Sequence, residues 1–102
     1  MNGIYTVKQV NSYIKNMFTQ DFMLNRIYVK GEISNCKYHP SGHIYFSLKD
    51  ESGTIACVMF AGSRAGLSFT LKNGQRVIAF GSVSVYEIDV KYQLYERVIK
   101  MD

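Results

Sequence analysis

Residues Gly31 to Asp50 constrain the fold of this chain more than any other stretch. They read as the end of one strand, a turn at His39-Pro40-Ser41-Gly42, and a second strand. Proline presets φ and glycine accepts φ > 0, so these four residues reverse the chain. From His43 to Lys49 the residue types alternate strictly. Ile44, Phe46 and Leu48 point one way; His43, Tyr45, Ser47 and Lys49 point the other. Successive strand residues face opposite sides of a sheet, so one side is core and the other is aromatic and basic. Such an outer face can stack bases and neutralise phosphates.

The rest of the chain supplies partners for that hairpin. Residues 6 to 20 predict a helix, with Thr6 as N-cap and an apolar stripe of Val7, Val10, Ile14, Met17 and Phe18. The stripe predicts packing over one end of a sheet, with a partner-binding helix as the alternative. Residues 25 to 37 predict a first strand, with Ile27, Val29 and Ile33 on one face and Tyr28, Lys30 and Glu32 on the other. Gly31 interrupts it and marks a bend or bulge. The second strand runs from 42 to 50. A turn at Asp50-Glu51-Ser52-Gly53 leads to a third strand, Thr54 to Ala61, in which both faces are apolar. In the connector that follows, Ser63 could cap a helical turn through Leu67, before an Asn73-Gly74 turn. A fourth strand runs from Gln75 to about Glu87 with Val77, Ala79, Val83 and Val85 on one face and Gly81 at a second bend. A fifth, Lys91 to Met101, places Tyr92, Leu94 and Val98 together.

Five strands with bend glycines in the first and fourth predict a small closed barrel. The fold class is mainly β: a five-stranded oligonucleotide/oligosaccharide-binding barrel, or OB-fold, with an N-terminal helix and a short helical connector between strands three and four. One domain spanning 1–102 is the natural count for 102 residues. Twelve basic against eight acidic residues give a net charge of +4, which fits a polyanion partner without demanding one. Two cysteines make no disulfide scaffold. No signal-peptide pattern opens the chain and no apolar run approaches the ~18 residues of a membrane span, so the cytoplasm is the expected compartment.

In an OB-fold a single strand lies across strands two and three, flanked by the loops joining strands one to two and four to five. Tyr45 is the leading candidate for stacking, against the plainer role of capping the sheet beneath the helix. Lys49 and Lys30 share the outer face and could meet phosphates, or be solvated charges. His43 and Tyr28 could support stacking or bond to backbone. Lys37, Tyr38 and His39 fall in the first flanking loop, and Arg64 just beyond strand three could grip phosphate. Phe60 reads as core rather than ligand, and Glu32 as a partner for Lys30 or Lys49. Cys36, His39, His43 and Cys57 are zinc-type ligands at a spacing that matches no common finger, so no metal or other cofactor is expected. Asp50 and Glu51 sit in an ordinary turn without a third acid, so no catalytic residue is assigned.

Several runs resemble the amino-terminal domain of the exonuclease VII large subunit. They are Gly31-Glu32-Ile33-Ser34-Asn35, the joined Ser41-Gly42-His43-Ile44-Tyr45-Phe46-Ser47-Leu48-Lys49-Asp50, and Cys57-Val58-Met59-Phe60. Later matches are Gly74-Gln75, Gly81, Tyr86-Glu87 and Tyr92-Gln93-Leu94. The resemblance implies a single-stranded-DNA-binding OB-fold of exodeoxyribonuclease VII, a bacterial, cytoplasmic enzyme of large and small subunits that degrades single-stranded DNA to oligonucleotides. It places the nuclease chemistry in later parts of the large subunit, so this chain is expected to be non-catalytic. Its implied partners are single-stranded DNA, the remainder of the large subunit and the small subunit, with no membrane. The alternative is a barrel that docks other nuclease subunits or domains. The hairpin Glu87-Ile88-Asp89-Val90-Lys91 departs from the family, with Val90 where glycine is common and Asp89 where a base is common.

Overall fold

A computed structural model describes residues 3–86 and 91–102, so the Asp89-Val90 departure lies outside the described residues. The elements are α1 (Val7–Gln20), β1 (Ile27–Tyr38), β2 (Ile44–Lys49), β3 (Thr54–Met59), a short 3₁₀ helix (Ala61–Gly66), β4 (Arg76–Tyr86) and β5 (Lys91–Met101). The five strands close into a barrel in the order β1-β2-β3-β5-β4. The expected mainly β barrel with an N-terminal helix and a helical connector is therefore what forms.

Alternation builds the core. In β4 every second residue from Val77 to Val85 is buried, and in β2 the buried residues are Ile44, Phe46 and Leu48. These meet Ile33, Cys57, Met59, Leu71, Leu94 and Ile99 inside the barrel. Each fully buried aliphatic side chain contributes roughly 1.5–3 kcal/mol. β1 is long enough to serve two neighbours. Its first half pairs with β4, its second with β2, and Glu32 pairs with both Arg76 and Lys49. Gly31 sits at that handover, where a Cβ would press on Leu48 Cβ at 3.2 Å and Lys49 O at 3.1 Å. A bulge at Asn35, which adopts φ 50°, then re-aims the end of β1.

A second bulge corrects the sequence reading of β5. Phe80 pairs with Val98, but Gly81 pairs with Glu96, so Arg97 is an extra residue. The phase flips there: Leu94, Glu96 and Ile99 are buried, while Val98 is exposed. Gly81 permits the bulge, because any Cβ would strike the Tyr95 carbonyl oxygen. Tyr92 is also exposed, and its ring stacks on Phe18 of α1 at 6.4 Å.

The helix starts at a capping box: Gln9 N–H donates to Thr6 Oγ1 (3.1 Å) and Thr6 N–H to Gln9 Oε1 (2.8 Å). It covers less of the barrel than its stripe predicts. No residue of α1 is buried, and Val7, Val10 and Met17 are exposed. Phe18 and Leu24 alone bring this segment against the core. The connector also differs in detail: Phe60 precedes the first turn and Ser63 lies inside it, its N–H donating to Phe60 O (2.9 Å).

Candidate nucleic-acid interface

Residues directly opposite each other on neighbouring strands share a face. Register therefore sorts the outer surface into rows. One row runs Lys37 (β1), Tyr45 (β2), Val58 (β3), Tyr95 (β5). The next is Ser34, Ser47, Ala56, all short side chains. The third is Arg76, Glu32, Lys49, Thr54. The face thus has an aromatic end and a charged end, about 13 Å apart along β2.

The aromatic end is a chain of touching rings. Tyr45 is braced by His39 (5.9 Å, 82°) and His43 (6.4 Å, 84°). His43 meets Phe60 at 5.1 Å, and Phe60 meets Tyr95 at 5.7 Å. Val58 lies in the middle of this outer row yet is buried, so its neighbours cover it. Tyr45, Phe60 and Tyr38 keep 41–44% of their surface exposed, enough for a base to lie on a ring.

Backbone hydrogen bonds fix the two histidines. His43 Nδ1 accepts from the Ala61 N–H at 2.9 Å, which ties the β1–β2 turn to the 3₁₀ helix. His39 Nδ1 accepts from the Ser41 N–H at 3.1 Å. With Nδ1 so occupied, each neutral ring carries its proton on Nε2 and presents it as a donor. Arg64 donates from Nη1 to Gly42 O at 3.0 Å and lies 5.4 Å over the Tyr38 ring. Tyr38 in turn donates its hydroxyl to Leu71 O at 2.9 Å. Lys37 and Arg64 are the cations of this end.

The charged end holds Lys30, Lys49 and Arg76 against Glu32, Asp50, Glu51 and Asp102 around a recess of about 590 Å³. Lys49 Nζ is 3.6 Å from Glu32 Oε2, one of the two pairings expected of Glu32. Asp50 Oδ1 accepts from the backbone N–H groups of Ser52 (2.8 Å) and Gly53 (3.1 Å) and from the Ser52 hydroxyl. These bonds hold its carboxyl below the usual aspartate range, the Ser52 N–H first among them.

The structure brings together six of the nine residues named from sequence: Lys37, Tyr38, His39, His43, Tyr45 and Arg64. Lys30 and Lys49 stand at the charged end. Tyr28 packs on Phe80 (4.7 Å), on the half of β1 that pairs with β4. Phe60 is exposed rather than core, because β3 ends at Met59 after three consecutive buried residues. Tyr95 is a ring of this face that the sequence reading does not name; its signal is its place one step from the core residue Leu94. The four zinc-type ligands do not converge: Cys57 is buried, the Cys36 thiol lies 3.7 Å from Leu71 O, and the described residues hold no group of three metal-type ligands.

Residues 5–100 match the family described as an OB-fold nucleic acid binding domain. The chain belongs to that family. It is 67% identical over 102 residues to the exodeoxyribonuclease 7 large subunit of Lachnoclostridium phytofermentans, covering all of this chain and 25% of that protein. Against the protein of the same name from Clostridium botulinum (strain Okra / Type B1) it is 56% identical over 97 residues, covering 95% and 24%. The chain thus spans about a quarter of the length of these relatives, whose likeness bears out the resemblance read from the Ser41–Asp50 run. Among solved structures, a replication protein A heterotrimer bound to single-stranded DNA shares the fold, with TM-score 0.62 and 12% identity over 78% of this chain and 58% of that one. No described helix is long and apolar enough to cross a membrane.

Proposed function

We propose that this OB-fold is the single-stranded-DNA-binding domain of an exodeoxyribonuclease VII large subunit, itself without catalytic residues and working in the cytoplasm. The observation that carries this reading is the continuous ring lane His39–Tyr45–His43–Phe60–Tyr95, edged by Arg64 and Lys37. Aromatic faces accept any base, which suits an enzyme that must thread strands of every sequence. The two cations add attraction for the backbone, so affinity falls as salt rises. Lys49 and Lys30 then play a smaller part than the rings.

Chemical-shift mapping with a short oligodeoxynucleotide tests the site. Perturbations centred on residues 37–45, 60–64 and 95 are expected. A footprint centred on α1 or on the Glu32–Lys49 recess would overturn the assignment.

A second role is supported by one observation: the apolar side chains Val7, Val10, Tyr13 and Met17 of α1 stand exposed. That surface suits a protein contact, with the remainder of the large subunit or the small subunit as the occupant. Co-elution of this chain with the small subunit, lost on placing charges at Val7 and Val10, is the corresponding test.

A further inference from the structure

Among the described residues Glu96 is the one buried charged side chain, with 2% of its surface exposed. Neither of its carboxyl oxygens has a hydrogen-bond partner of full geometry, and the donor that reaches towards the carboxyl is the Cys57 thiol, which weakly favours the charged form. The aliphatic core of a barrel is a poor place for an ionised carboxylate, which would lose its hydration without gaining a cation. Across β3 the titratable group that acts on it is the Cys57 thiol, whose own hydrogen bond goes to Ile55 O at 3.5 Å. From β4 it is faced by Gly81, and its neighbour Tyr95 by Ser82, neither of them titratable. Among the described residues no cation acts on it to hold the charged form.

The position of Glu96 matters more than its burial. β3 and β5 close the barrel through three paired positions, Cys57–Leu94, Val58–Tyr95 and Met59–Glu96. The neighbouring β4–β5 ladder has ten. Glu96 ends this shortest seam, next to the β5 bulge. The two aromatic residues that carry the lane across the seam are its sequence neighbours: Tyr95 precedes Glu96, and Phe60 follows Met59, which pairs with it.

We propose that Glu96 is a positioning residue whose proton keeps the β3–β5 seam closed and so holds the Phe60–Tyr95 pair in line for DNA. In its neutral form the carboxyl stays inside the barrel. Loss of the proton draws water towards the charge, and the seam, held at three positions, is where water enters. The rings on either side then separate, and the lane ends at Phe60. Burial raises the carboxyl pKa to about 8, an effect partly opposed by the Cys57 thiol. The device therefore operates close to neutral pH.

The inference rests on the DNA-binding reading, and two measurements separate them. The first uses no DNA. Ring and amide resonances of Phe60 and Tyr95 in the whole chain are followed as pH rises through about 8. They are expected to move in the wild type and stay fixed in Glu96→Gln and in Glu96→Leu, the apolar variant serving if the buried amide impairs folding. Rings that stay still in the wild type, or that move equally in the variants, overturn the proposal. The second titrates a fluorescein-labelled oligothymidylate at constant salt. Between one pH unit below and one above the Glu96 midpoint, the protonated fraction drops about tenfold, so the wild-type Kd rises about tenfold while both variants stay level. A wild-type profile as flat as theirs also overturns it. Failure of every protein to bind at any pH would instead remove the DNA-binding reading, and the resonance titration would still decide the role of Glu96.

Discussion

The two ends of one sheet face answer electrostatic demand in opposite ways. At the charged end, four acids and three bases stand in water around an open recess, and Lys49 is 3.6 Å from Glu32. At the aromatic end the surface carries rings and two cations, and the acid Glu96, next in sequence to Tyr95, is buried. Exposed ion pairs are screened and contribute little in either direction. A buried carboxyl and a set of open rings are each worth more, one to stability and the other to binding. The comparison teaches that a count of basic residues is a poor guide to which end of this face carries uncompensated positive charge. The end with more lysines is neutralised by its own acids.

The largest expected effect concerns the two acids. Glu96 has a raised pKa in the fold, so folding favours its protonated form. The stability it permits is full below the ordinary glutamate value of 4.5 and is lost as pH rises towards about 8. The slope over that window is about 1.4 kcal/mol per pH unit, for a total on the order of a few kcal/mol. Asp50 has the opposite sign. Its lowered pKa gives stability that is present at neutral pH and fades only as pH falls below the ordinary aspartate range. Urea midpoints measured across the Glu96 window should fall with rising pH in the wild type and hold level in Glu96→Gln. A wild-type midpoint that does not change across this range would erase the distinction between the two ends.

Sequence alternation made most of this architecture readable, and bulges hid the remainder. β2 and β4 keep strict period two, so their buried rows were legible residue by residue, as was the handover at Gly31. β5 was not, because Arg97 is an extra residue and a pattern of period two cannot show where the phase changes. That one insertion moved Val98 outward, directly after Glu96, the residue that pairs with the last residue of β3. Tyr45, His43 and His39 are legible as candidate residues because a turn and a strand present them, and Arg64 because it follows strand three, in the 3₁₀ helix. Tyr95 became part of the lane only through the parallel β3–β5 pairing, which no local pattern encodes. Phe60 reads as core from sequence because strand three is apolar on both faces, yet it is exposed. The projection of α1 was hidden too, because an amphipathic stripe announces that a face wants cover without saying what supplies it.

The middle effect compares two exposed tyrosines of the same outer surface. Tyr45 stands in the ring lane, whereas Tyr28 is paired with Phe80 on the β1–β4 side. Tyr45→Ala should weaken oligonucleotide binding by roughly 1–3 kcal/mol. Tyr28→Ala should change it by under about 0.5 kcal/mol, the range of an ordinary surface substitution. Polarisation titrations at one salt concentration read both. Equal losses would mean that the strand follows β1 towards β4 and that the lane has been drawn on the wrong side.

The smallest effect is also the sharpest test of why the charged end is silent. Lys49→Ala removes a cation that its own neighbour Glu32 already satisfies, so affinity should change by less than about 0.5 kcal/mol. Arg64→Ala removes one that lies over the Tyr38 ring, with no ion pair to an acid among the described residues. If Arg64 meets one phosphate, its loss should make the slope of log K against log salt shallower by about 0.7. Lys49→Ala should leave that slope where it was. The reverse result would show that Glu32 releases Lys49 to the phosphate when DNA arrives. The single change Glu32→Gln, with Lys49 intact, then discriminates: it should raise affinity only if the ion pair, rather than distance from the strand, keeps Lys49 out of the contact.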